Sequence, residues 1–310
     1  MRTGHRARRT LPSVPTDPRA LPLSRRTGVA LAVASATGLL AFTWPLLVTH
    51  GAGLSDATQA PLVLAVVLVG VLAVVLAALA DGGLDAKGVA VLGLLSAVGA
   101  VVRPLSAGTA GVELVFVVIV LGARVLGPGF GFALGSTTIL TSALLTGGVG
   151  PWLPFQMLAA SWVGLGAGLL PRRLRGGLEV AVVAAYGAVA ALAFGLLMNL
   201  AFWPFQLGGA TALSFVAGAP VAENLQRFAL YTATTSLGWD VGRAVTTVVG
   251  VALLGRPLLH ALRRTATRAA FAPAARHLPV TATAGSTAGA TAGSSGTGTG
   301  AAAAPARPSR

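Results

Sequence analysis

Gly147-Gly148-Val149-Gly150-Pro151-Trp152-Leu153-Pro154-Phe155-Gln156-Met157 is the stretch from which the fold can be read. Its glycines allow a sharp reversal, its prolines fix φ and stop the helix before them, and Pro154 suits the first turn of a new helix. The segment reads as a tight turn between two apolar helices, with Trp152 as an aromatic anchor. Downstream, Ala160, Gly164 and Gly168 recur at every fourth residue, so another helix can approach that face closely. Gln156 lies on the same face, one turn before Ala160.

The turn sits in a chain of 310 residues that is 55% hydrophobic and only 10% charged, with a mean hydropathy of +0.80. That is more apolar surface than a water-soluble domain can bury, so the chain reads as an all-α polytopic membrane protein. The formal net charge is +14. Its arginines cluster at the termini and beside the ends of apolar runs, which is the positive-inside pattern and not a nucleic-acid-binding face. With no cysteine, a disulfide, a thiolate nucleophile and a thiolate-held cluster are excluded; the compartment is left open.

Eight apolar runs follow in order, at about 29–48, 61–80, 88–102, 112–123, 130–146, 154–170, 178–200 and 226–254. Residues 1–27 form a basic arm, expected to be disordered and cytoplasmic. The first run is about 20 residues long and no A-x-A-like site follows it, so it is expected to be a retained helix and not a cleaved signal. The second run, almost purely Val, Leu and Ala, reads as lipid-facing. The third, ended by Arg103-Pro104, and the fourth are shorter than the usual ~20 residues of a span. The fifth carries Ser136, Thr137, Thr138, Thr141 and Ser142, whose hydroxyls can bond back to the carbonyl four residues earlier. The eighth run is expected to stop before Arg256. After it come Arg263, Arg264 and Arg268, then an Ala-, Gly-, Ser- and Thr-rich tail with no periodic apolar pattern.

Taken with Gly127-Pro128-Gly129-Phe130-Gly131-Phe132-Ala133-Leu134-Gly135, the opening stretch resembles the substrate-specific S component of energy-coupling factor (ECF) transporters. That family shows a Gly-rich helix start, a Ser-bearing helix and then a G-x-G-P-W-x-P-x-Q-M turn. The resemblance spans roughly Lys87 to Arg264. It implies a six-helix S-component-like bundle over 87–264, preceded here by an extra two-helix N-terminal hairpin over 28–86. That gives about eight transmembrane helices, with a disordered tail over 265–310. It also implies ATP-driven uptake of a small water-soluble compound, mostly B vitamins or their precursors, with a transmembrane coupling subunit and two ABC-type ATPases as partners. A metal substrate is not expected, since no His-rich N-terminal segment is present. Neither cofactor nor catalytic residue is implied.

Placing Arg25-Arg26 inside also puts Lys87, Arg124, Arg172 to Arg175 and Arg256 to Arg268 inside, with Arg103 and Arg227 outside. The expected localisation is therefore a bacterial inner (cytoplasmic) membrane, multi-pass, with both termini cytoplasmic. In that topology Glu113, Ser142, Thr146, Gln156 and Asn199 gather at the outer helix ends, with Trp152, Trp203 and Gln206 on the adjoining turns. They read as one outward-facing pocket, apolar-walled with a few placed polar groups. An interfacial aromatic belt would explain the tryptophans equally well. Asp240 and Arg243, three apart in the last apolar run, share a face; they are either a ligand-binding pair or a structural ion pair. The small residues Gly93, Ser96, Ala97 and Ala100 read as a close-approach face, assigned by the resemblance to the coupling subunit.

The competing reading is a membrane-embedded enzyme or a structural membrane protein. His5, His50, His260 and His277 lie at termini or turns without metal-ligand spacing, and no His or Lys matches the depth of Ser136 to activate it. The chain has no G-x-x-x-x-G-K-[ST] loop and so no ATPase site of its own.

Overall fold

The computed structural model describes residues 25–47, 60–81, 86–106, 111–206 and 211–269. The basic arm before residue 25, the low-complexity tail after 269 and the Gly208-Gly209 turn lie outside them. So does the side chain of Gln206.

Among the described residues every regular element is a helix: α1 (Arg25–Phe42), α2 (Trp44–Leu47), α3 (Ala60–Asp81), α4 (Ala86–Ser106), α5 (Val115–Leu126), α6 (Pro128–Thr146), α7 (Leu153–Leu169), α8 (Gly176–Gln206), α9 (Val221–Tyr231) and α10 (Leu237–Ala269). Five of these helical runs are long and apolar enough to cross a bilayer, with α9 and α10 forming one of them; α5 and α7 are shorter apolar helices. The expected polytopic membrane bundle is what forms.

Several expected boundaries are corrected. Arg103-Pro104 does not end α4, which runs on to Ser106; a proline in the last turn removes only one helix bond. Trp203 is not on a loop, because α8 continues through Pro204 to Gln206. The last run begins earlier, at Val221 after Pro220, and continues past Arg256 and Pro257 to Ala269. Thr43 interrupts the first run, separating α1 from α2.

Close packing of α6 on α7 forms the centre. A Cβ added at Gly131, Gly135, Gly164 or Gly168 would collide with the backbone of the opposite helix, so the four-residue spacing seen in the sequence does bring two backbones together. Gly127, with φ 97°, and Gly147, with φ 69°, make the reversals at either end of α6 in the left-handed region where a side chain is strained. Two of the expected back-bonds form, from Thr137 to the Ala133 carbonyl at 2.8 Å and from Thr141 to the Thr137 carbonyl at 2.7 Å, and Thr146 adds one to Ser142 at 2.8 Å, whereas the buried Ser136 and Thr138 hydroxyls make none.

The N-terminal hairpin packs directly against α7. Phe42 meets Phe155 edge-on at 5.2 Å, Trp162 donates to Ser35 at 3.0 Å, and Gly38 leaves room for Leu158 and Trp162. On α3, Ala65, Leu68, Leu72, Val75 and Leu79 form a buried stripe. Uniform Val, Leu and Ala composition hides such a stripe from sequence inspection.

At one end of the bundle Arg124 closes α5 against its neighbours. Its Nε donates to Glu179 at 2.7 Å and its terminal nitrogens donate to the carbonyls of Leu170 and Pro171 at 2.9 and 3.0 Å. Arg263 of α10 reaches the same Glu179 oxygen at 2.6 Å. One carboxylate thereby joins α5, α8 and α10, while Arg124 satisfies carbonyls that the end of α7 would leave open.

Candidate functional site

The opposite end carries the other polar cluster. Gln156 sits in the first turn of α7 and accepts from Arg103 of α4 at 3.1 Å; Arg103 also donates to Ser142 of α6 at 3.4 Å. The same guanidinium lies 3.8 Å from Glu113, in the segment leading into α5. Glu113 accepts from Arg243 of α10 at 2.5 Å, Arg243 donates to Asp240 at 2.8 Å, and Asp240 accepts from Asn199 of α8 at 3.2 Å. Side chains from five helices and one loop thus form a single chain of contacts. Two guanidiniums face two carboxylates, so the cluster is neutral as a whole, which is what lowers its cost at depth.

Two features make room for it. A Cβ at Gly195 would strike Asp240 and Arg243, so α8 needs a glycine there to let the pair lie against it. Between α9 and α10 the helix widens into a π segment, Thr232–Ser236, where Thr234 and Thr235 cap the Leu230 and Tyr231 carbonyls at 2.7 Å. A step of four residues overshoots a 3.6-residue turn by about 40°. One wider turn takes up that drift, and Tyr231, Thr235, Trp239 and Arg243 remain on one face. Such π bulges recur at functional sites.

The cluster borders two cavities. One, of about 570 Å³, is lined by Trp152, Gln156, Asn199, Phe202, Tyr231 and Asp240 among others. The second, of about 440 Å³, is lined by Arg103, Glu113, Ser142 and Thr146. Trp239 and Arg243 belong to both. These volumes suit a small organic molecule, and the linings combine aromatic faces with a few fixed donors and acceptors.

Of the expected site residues, Glu113, Ser142, Thr146, Trp152, Gln156, Asn199, Asp240 and Arg243 are therefore at the cavities. Trp203 is elsewhere: fully buried, it donates to the Leu213 carbonyl at 2.7 Å and packs with Leu200, Phe228 and Tyr231 beneath the roof of this end. The segment before α9 is pinned by Asn224, whose side chain both donates to and accepts from the backbone of Val216. The Asp240/Arg243 pair and the pocket residues, read separately from the sequence, form one connected cluster.

Arg103, Trp239 and Gly195 were missed. From the sequence Arg103 reads as the end of the third run on an outer turn; its four-residue spacing from Gly99, which packs on Thr138 of α6, is the available signal that it faces inward. Ser96 and Ala100 are buried against α6, with the Ser96 hydroxyl 2.7 Å from that of Thr137. Only Gly93 and Ala97 of the expected partner face are exposed. Among the described residues no three His, Asp or Glu side chains come together as a metal site.

The family model described as "ECF transporter, substrate-specific component" matches residues 87–254. Searches of curated proteins and of solved structures return no match. The matched region runs from α4 into α10 and contains every residue of the polar cluster as well as both cavities. Over more than half its length this sequence carries the family's pattern, and the chain belongs to the substrate-specific components of ECF transporters.

Proposed function

We propose that the chain captures a compact, water-soluble compound of the B-vitamin or vitamin-precursor class from outside the cell, for import driven by a coupling membrane subunit and two ABC-type ATPases. The membership of a family of substrate-binding uptake subunits gives the coarse function. The observation that carries the finer reading is the convergence of Arg103, Glu113, Gln156, Asn199, Asp240 and Arg243 on two cavities with a common wall. Because each guanidinium already faces a carboxylate, a net-neutral or zwitterionic ligand exchanging hydrogen bonds with the cluster suits it better than a multiply charged one. Trp152, Trp239 and Tyr231 offer faces for a planar ring.

In this reading the cluster lies at the outer end and both termini are cytoplasmic, in a bacterial inner membrane. The exposed Gly93/Ala97 face of α4 meets the coupling subunit. A panel of water-soluble vitamins, tested for thermal stabilisation of the purified chain, examines the ligand class: one compound should raise the midpoint and the rest should not. Reporter fusions at Gly176 and at Gly208-Gly209 examine the orientation and should read opposite sides; the same side for both would overturn the eight-helix topology.

A further inference from the structure

The N-terminal hairpin reaches the Gln156 end of the bundle by two aromatic routes. Phe42, buried at the end of α1, meets Phe155 of α7 edge-on at 5.2 Å, and Phe155 meets Phe202 of α8 edge-on at 5.1 Å. Phe202 lines the cavity of about 570 Å³, as does Gln156, the residue next to Phe155. The second route starts at Trp44 of α2. Its indole donates to the Ala201 carbonyl at 2.9 Å, and its ring stacks on Phe205 at 5.6 Å. Trp44 also faces Phe215 at 6.3 Å, Phe215 meets Trp203 at 5.5 Å, and Trp203 lies 6.4 Å from Tyr231, which lines the same cavity. These separations all fall in the range of interacting ring pairs, roughly 4.5–7 Å.

We propose that the hairpin is a positioning element of the ligand site: Phe42 and Trp44 fix the Phe155–Phe202 wall and the last turns of α8, and so set the affinity of a cavity whose lining includes neither of them. The proposal rests on that cavity being where the transported compound binds. Pro204 makes the end of α8 the place where outside support counts. Lacking an N–H, it cannot donate to the Leu200 carbonyl, so the helix is weakened there. Trp44 braces that stretch, with a hydrogen bond to the Ala201 carbonyl and a ring against Phe205. A close-packed interior has few voids to absorb a shift, so the loss of one ring moves the next. Phe42 and Trp44 also lie before residue 87, where the family match begins, whereas the cavity lining lies within it. The site is therefore tuned by a segment outside the family pattern.

The test uses the full chain in detergent, with Phe42→Ala, Trp44→Phe and, as a control, Leu68→Ala, which opens a void at a buried position of α3 away from both ring series. Two quantities are read on folded protein: amide hydrogen exchange without added compound, and the dissociation constant of the panel vitamin that raises the wild-type midpoint. In Phe42→Ala, exchange should quicken in the first turn of α7 and the last two turns of α8. The dissociation constant should rise about tenfold, the size of one polar contact forfeited by a shifted wall. Trp44→Phe, which loses only the donation to Ala201, should confine its change to the end of α8, with about a threefold rise. Leu68→Ala should lower the midpoint and quicken exchange in the hairpin while the dissociation constant stays put. If Phe42→Ala does not fold, Phe42→Leu should show the same pattern at about threefold. Unchanged exchange at the wall segments or an unchanged dissociation constant in the Phe42 variant would overturn the proposal. So would an equal affinity loss in Leu68→Ala, which would make the hairpin a source of stability only. Should no panel vitamin stabilise wild type, the ligand class falls, and the exchange pattern alone still decides whether the hairpin holds the walls.

Discussion

Both ends of the bundle carry a guanidinium–carboxylate cluster, and they differ in what surrounds it. At the Arg124 end the side chains of Arg124 and Glu179 are each 2% exposed, and the remaining guanidinium nitrogens reach backbone carbonyls. At the Gln156 end Arg103, Glu113 and Arg243 are 23%, 18% and 15% exposed, and their neighbours are amides, a hydroxyl and aromatic rings that line cavities. The first arrangement is sealed at Arg124 and Glu179, with Arg263 reaching the same carboxylate from the solvent side. The second is neutral yet reachable, so a ligand can exchange contacts with it. In the proposed function, ion pairs of similar geometry therefore serve closure at one end and recognition at the other, according to whether their spare donors and acceptors meet backbone or space.

The comparison breaks most sharply at Glu179. Replacing it by Leu leaves the buried Arg124 charge uncompensated, which typically costs about 3–5 kcal/mol. Glu179→Leu should therefore lower the unfolding midpoint in detergent strongly, while the folded fraction keeps its ligand affinity. A stable variant would mean that the sealed cluster is not what holds this end.

Substitutions at the open end should reverse that profile. Gln156→Leu and Asn199→Leu each remove a neutral amide from a cavity wall without stranding a buried charge, and the unmade partner costs about 1–3 kcal/mol. Ligand affinity should fall roughly ten- to a hundredfold for each, with little change in midpoint. A midpoint loss with unchanged affinity would make these residues structural and move the site.

How far the sequence carried this comparison depends on what kind of signal each residue left. The α6–α7 contact was legible because Ala160, Gly164 and Gly168 have a spacing, and small residues in a membrane have few other uses. The open site was half legible: Glu113, Gln156 and Asn199 are polar residues at helix ends, which topology alone brings together. Arg103 was not, since an arginine before a proline reads as the end of its helix, and nothing local shows that its side chain turns inward. The α3 stripe left no pattern because lipid and protein interior are equally apolar. The clasp at Glu179 needed partners 55 and 84 residues away, a pairing that no local period reveals. The π segment left no periodic signal either, although Thr234 and Thr235 supply hydroxyls to its carbonyls.

The smallest effects concern α4, whose two faces carry different roles. Ser96→Ala removes one hydroxyl contact to Thr137 and should cost about 1 kcal/mol of stability, with assembly unaffected. Ala97→Trp, on the exposed face, should leave stability and ligand binding alone while abolishing co-purification of the coupling subunit. Intact assembly in Ala97→Trp would place that contact on another helix.

The central claim is that the open cluster is the ligand site, and the most direct measurement is the small-molecule content of protein purified from the expressing cells. Wild type and Gln156→Leu/Asn199→Leu would be compared by mass spectrometry of the compounds released on denaturation, at matched amounts of folded protein. Wild type should carry one compound near one per chain, and the double variant should be strongly depleted of it. Equal content in both, or the same compound lost from Glu179→Leu but retained by the double variant, would contradict it.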